Sequence, residues 1–333
     1  TAANLVLAFA GTVTEHTGAV TITDAPTLAQ LVTINAETTG AITLNSAAAA
    51  YSGSAADLVS AFAGTVTTHT GTITVTTSVN VAQLVAINAA STGAITLNVT
   101  NDSLFGSASD LAAAFAGTVT THTGTVIITD EPTVAQLKTI NDASTGAITL
   151  NDVDGAMSGS ASDLIDGFAG SVTTHTGTVE ITNAATIAQL TTIDAATTGT
   201  ITYTAVTDSA SNLNTNTGGY VTSNKTVTIT NAPTVAQLVT INAATTGAIT
   251  LTTANGALSG SAANLVLAFA GTVTTHTGTV TISDAPSVAQ LVTINAATTG
   301  AITLTTANGA LSGTAANLVL AFAGTVTEHT GVV

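Results

Sequence analysis

Six histidines stand at positions 16, 69, 122, 175, 276 and 329, and their spacings of 53, 53, 53, 101 and 53 define a tandem repeat. The 101 equals 53 plus 48, so one copy between His175 and His276 has lost five residues together with its histidine. That degenerate copy, around residues 203–226, reads SASNLNTNTGGYVTSNKTVTIT over 209–230. A short repeated unit cannot bury its apolar side alone, so stacked neighbours must supply one continuous core.

Within one period the pattern divides into two coils. In residues 248–300, AITL reads as a strand, TTANGALSG as a loop and SAANLVLAFAG as a short helix with Ser261 as N-cap and Gly271 past its end. TVTTHTG then leads into the strand TVTI (279–282), and Asp284 is expected to cap a second helix with Pro286 in its first turn. Both halves share one ending, Thr-Gly before an apolar-Thr-apolar strand. The period of 53 is thus made of a coil of 22, from Val20 to Ile42, and a coil of 31, from Ile42 to Ile73. Strands joined through helices lie parallel.

The predicted fold is therefore an α/β solenoid, a leucine-rich-repeat-like stack of strand–helix coils with one parallel β-sheet. Residues 1–333 form a single repeat array of about six repeats and roughly twelve coils, which makes a sheet about 55–60 Å long. Tandem immunoglobulin-like domains fit less well, because each needs about 100 residues of all-strand pattern. Ile42, Ile95, Ile148, Ile201, Ile249 and Ile302 should stack inside with Leu44, Leu97, Leu150, Tyr203, Leu251 and Leu304. Thr43, Thr96, Thr149, Thr202, Thr250 and Thr303 then form an outward ladder. TAANLVLAFAGTVTEHTG opens the chain at Thr1 and returns at Thr314, so the sequence reads as a window of a longer array.

Composition narrows the function. Charged residues make up 6% of the chain, against roughly 25% in an average soluble domain. A net charge of −16 with two lysines and no arginine repels a phosphate backbone, which argues against nucleic-acid partners. Without cysteine there is no disulfide framework and no thiolate metal site. No apolar run approaches the roughly 20 residues of a transmembrane helix; AANLVLAFAG is about half that.

The recurrent side chains point to structure more than to chemistry. Successive histidines two coils apart would lie about 9.5 Å from one another, too far to share one zinc ion. His16, His69, His122, His175, His276 and His329 are therefore read as structural, each imidazole bonding a backbone group in the helix-to-strand loop. A hydrolase triad would need Ser or Thr, His and a carboxylate brought together; hydroxyls are abundant here, and nothing marks one histidine copy as special. NDVDG (151–155) offers Asp152 and Asp154 as weak Ca²⁺ candidates, but it matches neither an EF-hand loop nor a calcium β-roll nonapeptide. No cofactor is otherwise expected. Asp24, Asp130 and Asp284 read as helix caps, since Asn183 and Asn231 fill the same place.

One outer helix position holds Val32, Val85, Lys138, Thr191, Val239 and Val292. Another holds Leu7, Ser60, Ala113, Asp166, Leu267 and Leu320, so the outer repeats carry an apolar stripe suited to a neighbouring chain.

The units GTVTTHTGTVTI (271–282), APTVAQLVTINAATTGAITL (232–251) and SAANLVLAFAG (261–271) resemble repeats in giant, threonine-rich cell-surface proteins of marine cyanobacteria. One protein of that type is required for swimming without flagella. The resemblance covers nearly the whole chain, is weakest over 203–226, and transfers no active-site residues. It implies an extracellular, cell-surface location and a structural or motility-linked role: a rod, filament or surface-layer element, not an enzyme. Its partners would be adjacent repeats of the same chain or further copies of itself. An adhesin binding glycans or surfaces is the alternative, with ice binding through the threonine face a minor one.

Overall fold

Apolar-Thr-apolar runs form short parallel strands, and the stretches between them form helices of six to ten residues. The structure, a computed structural model, describes residues 1–11 and 15–333. These fall into two compact units. The first comprises Thr1–Ser158, Ser162–Val179 and Ala196–Thr200; the second comprises Gly159–Ala161, Glu180–Ala195 and Ile201–Val333. Each unit is an α/β solenoid-like stack, with strand paired to strand and helix packed on helix.

Strand parity places the core. In the first unit Val20–Ile22 pairs in parallel with Ile42–Leu44, and Ile73–Val75 with Ile95–Leu97. In the second unit Val280–Ile282 pairs with Ile302–Leu304. Ile42, Leu44, Ile95, Leu97, Ile302 and Leu304 are all buried, whereas Thr43, Thr96, Thr250 and Thr303 between them are exposed. Thr149 is half-buried and Thr202 exposed. The inward pattern weakens in the degenerate copy, where Ile201 and Tyr203 are only half-buried. Helices add a second layer through positions three apart, such as Leu84 with Ile87 and Leu291 with Ile294, all fully buried. Each such side chain removed from water contributes about 1.5–3 kcal/mol.

The strands do not form one sheet; they form sheets two or three strands wide. The cause lies in the longer coil, which carries a second strand that the sequence presents as loop. Tyr51–Gly53, Leu104–Gly106 and Leu258–Gly260 each begin nine residues after Ile42, Ile95 and Ile249. The strand-to-strand step within a sheet then has the length of the shorter coil: Tyr51 lies opposite Ile73, and Ile73 opposite Ile95; in the degenerate copy it is one residue shorter, with Val206 opposite Val227. Leu104, Val126 and Ile148 repeat the arrangement. The first strand of a longer coil completes one sheet and the second opens the next. Beyond Ile42, Ile95, Ile249 and Ile302 the ladder shrinks to single bridges with Val66, Val119, Val273 and Val326.

The helix caps also differ from expectation. Ser261 does cap Ala262–Ala268, accepting from the Asn264 N–H. The helix Val288–Ala297 is capped by Ser287, not by Asp284, and Pro286 lies ahead of the cap. Ser287 stands three residues before Gln290, so it can form the reciprocal capping box that Asp284 cannot. Asp284 instead accepts the Ala262 N–H at 2.7 Å, at the start of the helix in the preceding coil. Asp24 and Asp130 serve Ala2 and Ala108 in the same way, and Asn183 and Asn231 serve Ala161 and Ala210. Capping here ties one coil to the next.

Candidate functional site

The repeated polar side chains converge on the seams between coils, so the seam is the site to build. The histidine backbone makes a one-residue parallel bridge: the His122 N–H donates to Ala143 O at 2.9 Å, and Thr145 N–H donates to His122 O at 2.8 Å. That short strand turns the imidazole inward. His69, His122, His175 and His276 are 0–2% exposed. Each histidine packs against the phenylalanine seven residues before it, with ring centroids 5.5 Å apart for Phe62 and His69 and 5.7 Å for Phe168 and His175. Phe9 with His16 and Phe322 with His329 repeat the contact at the two ends of the sequence.

Ring nitrogens are treated unequally along the chain. His175 Nε2 lies 2.8 Å from Gly155 O, and His276 Nε2 lies 2.6 Å from Gly256 O, carbonyls in the loop of the preceding coil. Neither ring nitrogen of His69 or His122 meets a partner with hydrogen-bond geometry. Burial pushes the imidazoles of His69, His122 and His276 below the ordinary histidine pKa. Neighbouring backbone groups offset part of this, as does the Asp102 carboxylate beside His122. These rings lie buried in an apolar layer beside phenylalanines.

A second polar row has no counterpart in the sequence reading. Asn35, Asn88, Asn141, Asn242 and Asn295 end the longer helices and reach to the helix of the following coil. Asn88 Nδ2 donates to Ala113 O at 2.8 Å and Ala116 O at 2.7 Å; Asn242 does the same for Leu267 O and Ala270 O, both at 2.8 Å. The last carbonyls of a helix have no partners of their own, and one amide here serves several of them. The sequence carries the signal as an asparagine recurring with the histidine period. Replacing Asn242 with alanine should destabilise the fold by about 1–3 kcal/mol, the cost of leaving such acceptors unpaired. A urea midpoint that does not move would show that water replaces the amide.

The degenerate copy confirms which groups act together by replacing them together. Ser223 takes the histidine's place: Thr245 Oγ1 donates to Ser223 O just as Thr298 Oγ1 donates to His276 O. The phenylalanine is gone as well, and Asn216, in the left-handed region with φ +47°, holds the loop through two bonds to Val221. Asp194 stands where other repeats have the clamping asparagine, and its carboxylate accepts from Tyr220 Oη at 3.1 Å. Lys225 lies over the Tyr203 ring, 4.5 Å from its centre, and donates to Tyr203 O. Beside this copy a groove of about 400 Å³ is lined by Ile187, Ala188, Thr191, Asn212, Thr215 and Thr217.

The remaining candidates are dispersed. Asp152 is half-exposed and Asp154 exposed, and among the described residues no three His, Asp or Glu side chains gather closely enough to hold an ion. The threonine ladder is cut into short blocks, because the sheets are narrow. Ser52, Thr74 and Thr96 make one outward row, while Phe105, Ile127 and Thr149 make the next, and Phe105 is 64% exposed. No helix among the described residues is long and apolar enough to cross a membrane. No family model, curated protein or solved structure matches this chain.

Proposed function

We propose that this chain is a structural repeat segment of an extracellular cell-surface protein or filament, a rod, surface-layer or motility-associated element without catalytic activity. One observation carries the reading: the asparagines, capping side chains and threonine hydroxyls that recur with the repeat are engaged in holding neighbouring coils together. Asn88 and Asn242 clamp carbonyls of the next coil, while Asp130 and Asp284 cap helices of the previous one. Thr197 and Thr298 donate their hydroxyls to the histidine carbonyls across the seam. A chain selected for chemistry would set some such groups aside in one copy, whereas a chain selected to extend repeats the same bonds.

The likeness of its repeats to threonine-rich surface proteins supports an extracellular setting, as does the near absence of lysine and arginine, which leaves trypsin-like proteases almost nothing to cut. Antibody raised against residues 1–333 should label intact, unpermeabilised cells of the source organism. Labelling that appears only after permeabilisation would overturn the proposal.

A further inference from the structure

The outer helix positions have a geometry that bears on self-association. Lys138 Nζ lies 2.5 Å from Asp166 Oδ2 and 3.3 Å from Asp142 Oδ2. The two outer positions, held by Lys138 and Asp166, are thus neighbours on adjacent helices. In the second unit the same register places Val239 beside Leu267 and Val292 beside Leu320. Leu267 and Leu320 are each 54% exposed, and Val239 and Val292 are half-buried. Along four successive helices the row therefore reads Val, Leu, Val, Leu. In the first unit Leu7 and Val32 begin the same row, but Ser60, Ala113 and the Lys138–Asp166 ion pair break it.

Charge is divided in the same way. Of 18 acidic residues, 13 lie in the first unit and five, Glu180, Asp194, Asp208, Asp284 and Glu328, in the second. Asp284 is already engaged in capping Ala262.

We propose that the helix face of the second unit is a docking surface for the same face of a second copy of this chain, in an antiparallel, two-fold arrangement. Reversing a Val-Leu-Val-Leu row sets each leucine opposite a valine: Leu320 faces Val239 of the other copy, and Leu267 faces Val292. A large side chain then meets a small one at every step, and a two-fold interface requires that kind of self-complementarity. A parallel arrangement would set leucine against leucine. Charge selects the same pairing. Two copies carrying −16 each repel one another wherever first units approach, and the face of the second unit is where they can meet with little charge to desolvate. The proposal goes beyond the structural role, which stands for a monomeric rod as well.

Light scattering on the eluting full chain, up to about 100 µM, tests it. The wild type should be a dimer that persists in 0.5 M salt, since its contacts are apolar. Leu267→Asp with Leu320→Asp should weaken dimerisation at least tenfold, while Ser60→Asp, in the same row of the first unit, should leave it unchanged. Circular dichroism checks that the variants fold; should the aspartates disturb folding, Leu267→Ser with Leu320→Ser gives the same comparison. Because the chain has no cysteine, mixing Leu267→Cys with Val292→Cys chains should give an oxidised heterodimer in preference to either homodimer. A wild type that stays monomeric, a dimer indifferent to both leucine pairs, equal weakening by Ser60→Asp, or random cross-linking would each overturn the proposal. None of these outcomes bears on surface labelling of cells, which tests the structural role separately.

Discussion

Stability should be level between pH 8 and 7 and decline as the pH falls below about 6.5, the value of an unfolded histidine. The neutral rings of His69, His122 and His276 cause it. Burial holds their pKa values below that of an unfolded histidine, about 6.5. Above pH 6.5 neither state is protonated, so the histidines impose no cost. Below it the unfolded chain takes up protons that the folded chain refuses, and stability declines as the pH falls. Each ring contributes a slope of at most about 1.4 kcal/mol per pH unit while it stays neutral in the fold. The three contributions add, in a fold whose typical total stability is only about 5–15 kcal/mol.

Asp102, beside His122, partly offsets burial at that one ring. Urea midpoints at pH 7.5 and 5.5 for the wild type and for His69→Gln/His122→Gln/His276→Gln check the assignment. The variant should be less stable at pH 7.5 because the phenylalanine contacts shrink, yet much flatter with pH. A variant as acid-sensitive as the wild type would place the effect elsewhere.

Period is legible in the sequence and partnership is not. Ile95, Thr96 and Leu97 announce one buried face, because parity along a strand needs no knowledge of what lies beside it. The second strand of the longer coil stays hidden for the opposite reason: Leu104, Phe105 and Gly106 follow a polar loop, end in glycine, and become a strand only because Val126–Ile128 lies alongside. Asp284 reads as a cap, which it is, but for a helix 22 residues earlier in sequence. Local grammar assigns a cap to the helix that follows it, while a stacked coil offers a second orphan N–H at equal distance in space. Asn242 recurs with the repeat, yet its role stays hidden, because an asparagine in a helix's last turn is ordinary until the carbonyls of the next coil appear above it. In a solenoid the closest neighbours of a residue are about one coil away in sequence, and one repeat read by itself cannot show them.

The Thr-Gly ending common to both halves of the repeat follows the same logic and predicts the largest single-residue effect in the chain. A Cβ added to Gly146 would sit 1.8 Å from Gly124 O, and one added to Gly300 would sit 1.7 Å from Gly278 O. Glycine thus stacks on glycine, with two backbones in direct contact where no side chain fits. The obstruction is a carbonyl, which cannot rotate aside as a flexible side chain would, so relief requires adjacent coils to part and the flanking parallel bonds to lengthen. Gly146→Ala should therefore cost at least the upper part of the roughly 1–3 kcal/mol range for overpacking. Gly64 provides the contrast: it has φ +69° but nothing within 4 Å of an added Cβ, so Gly64→Ala should cost only about 1 kcal/mol, through backbone strain. Denaturation midpoints in the reverse order would mean that the coils separate easily at this seam. Amide exchange locates the damage. Loss of protection centred on Val126–Ile128 and Ile148–Leu150, which pair across the same seam, is the expected result for Gly146→Ala. An unchanged protection pattern would show that the glycine column does not set the spacing of the coils.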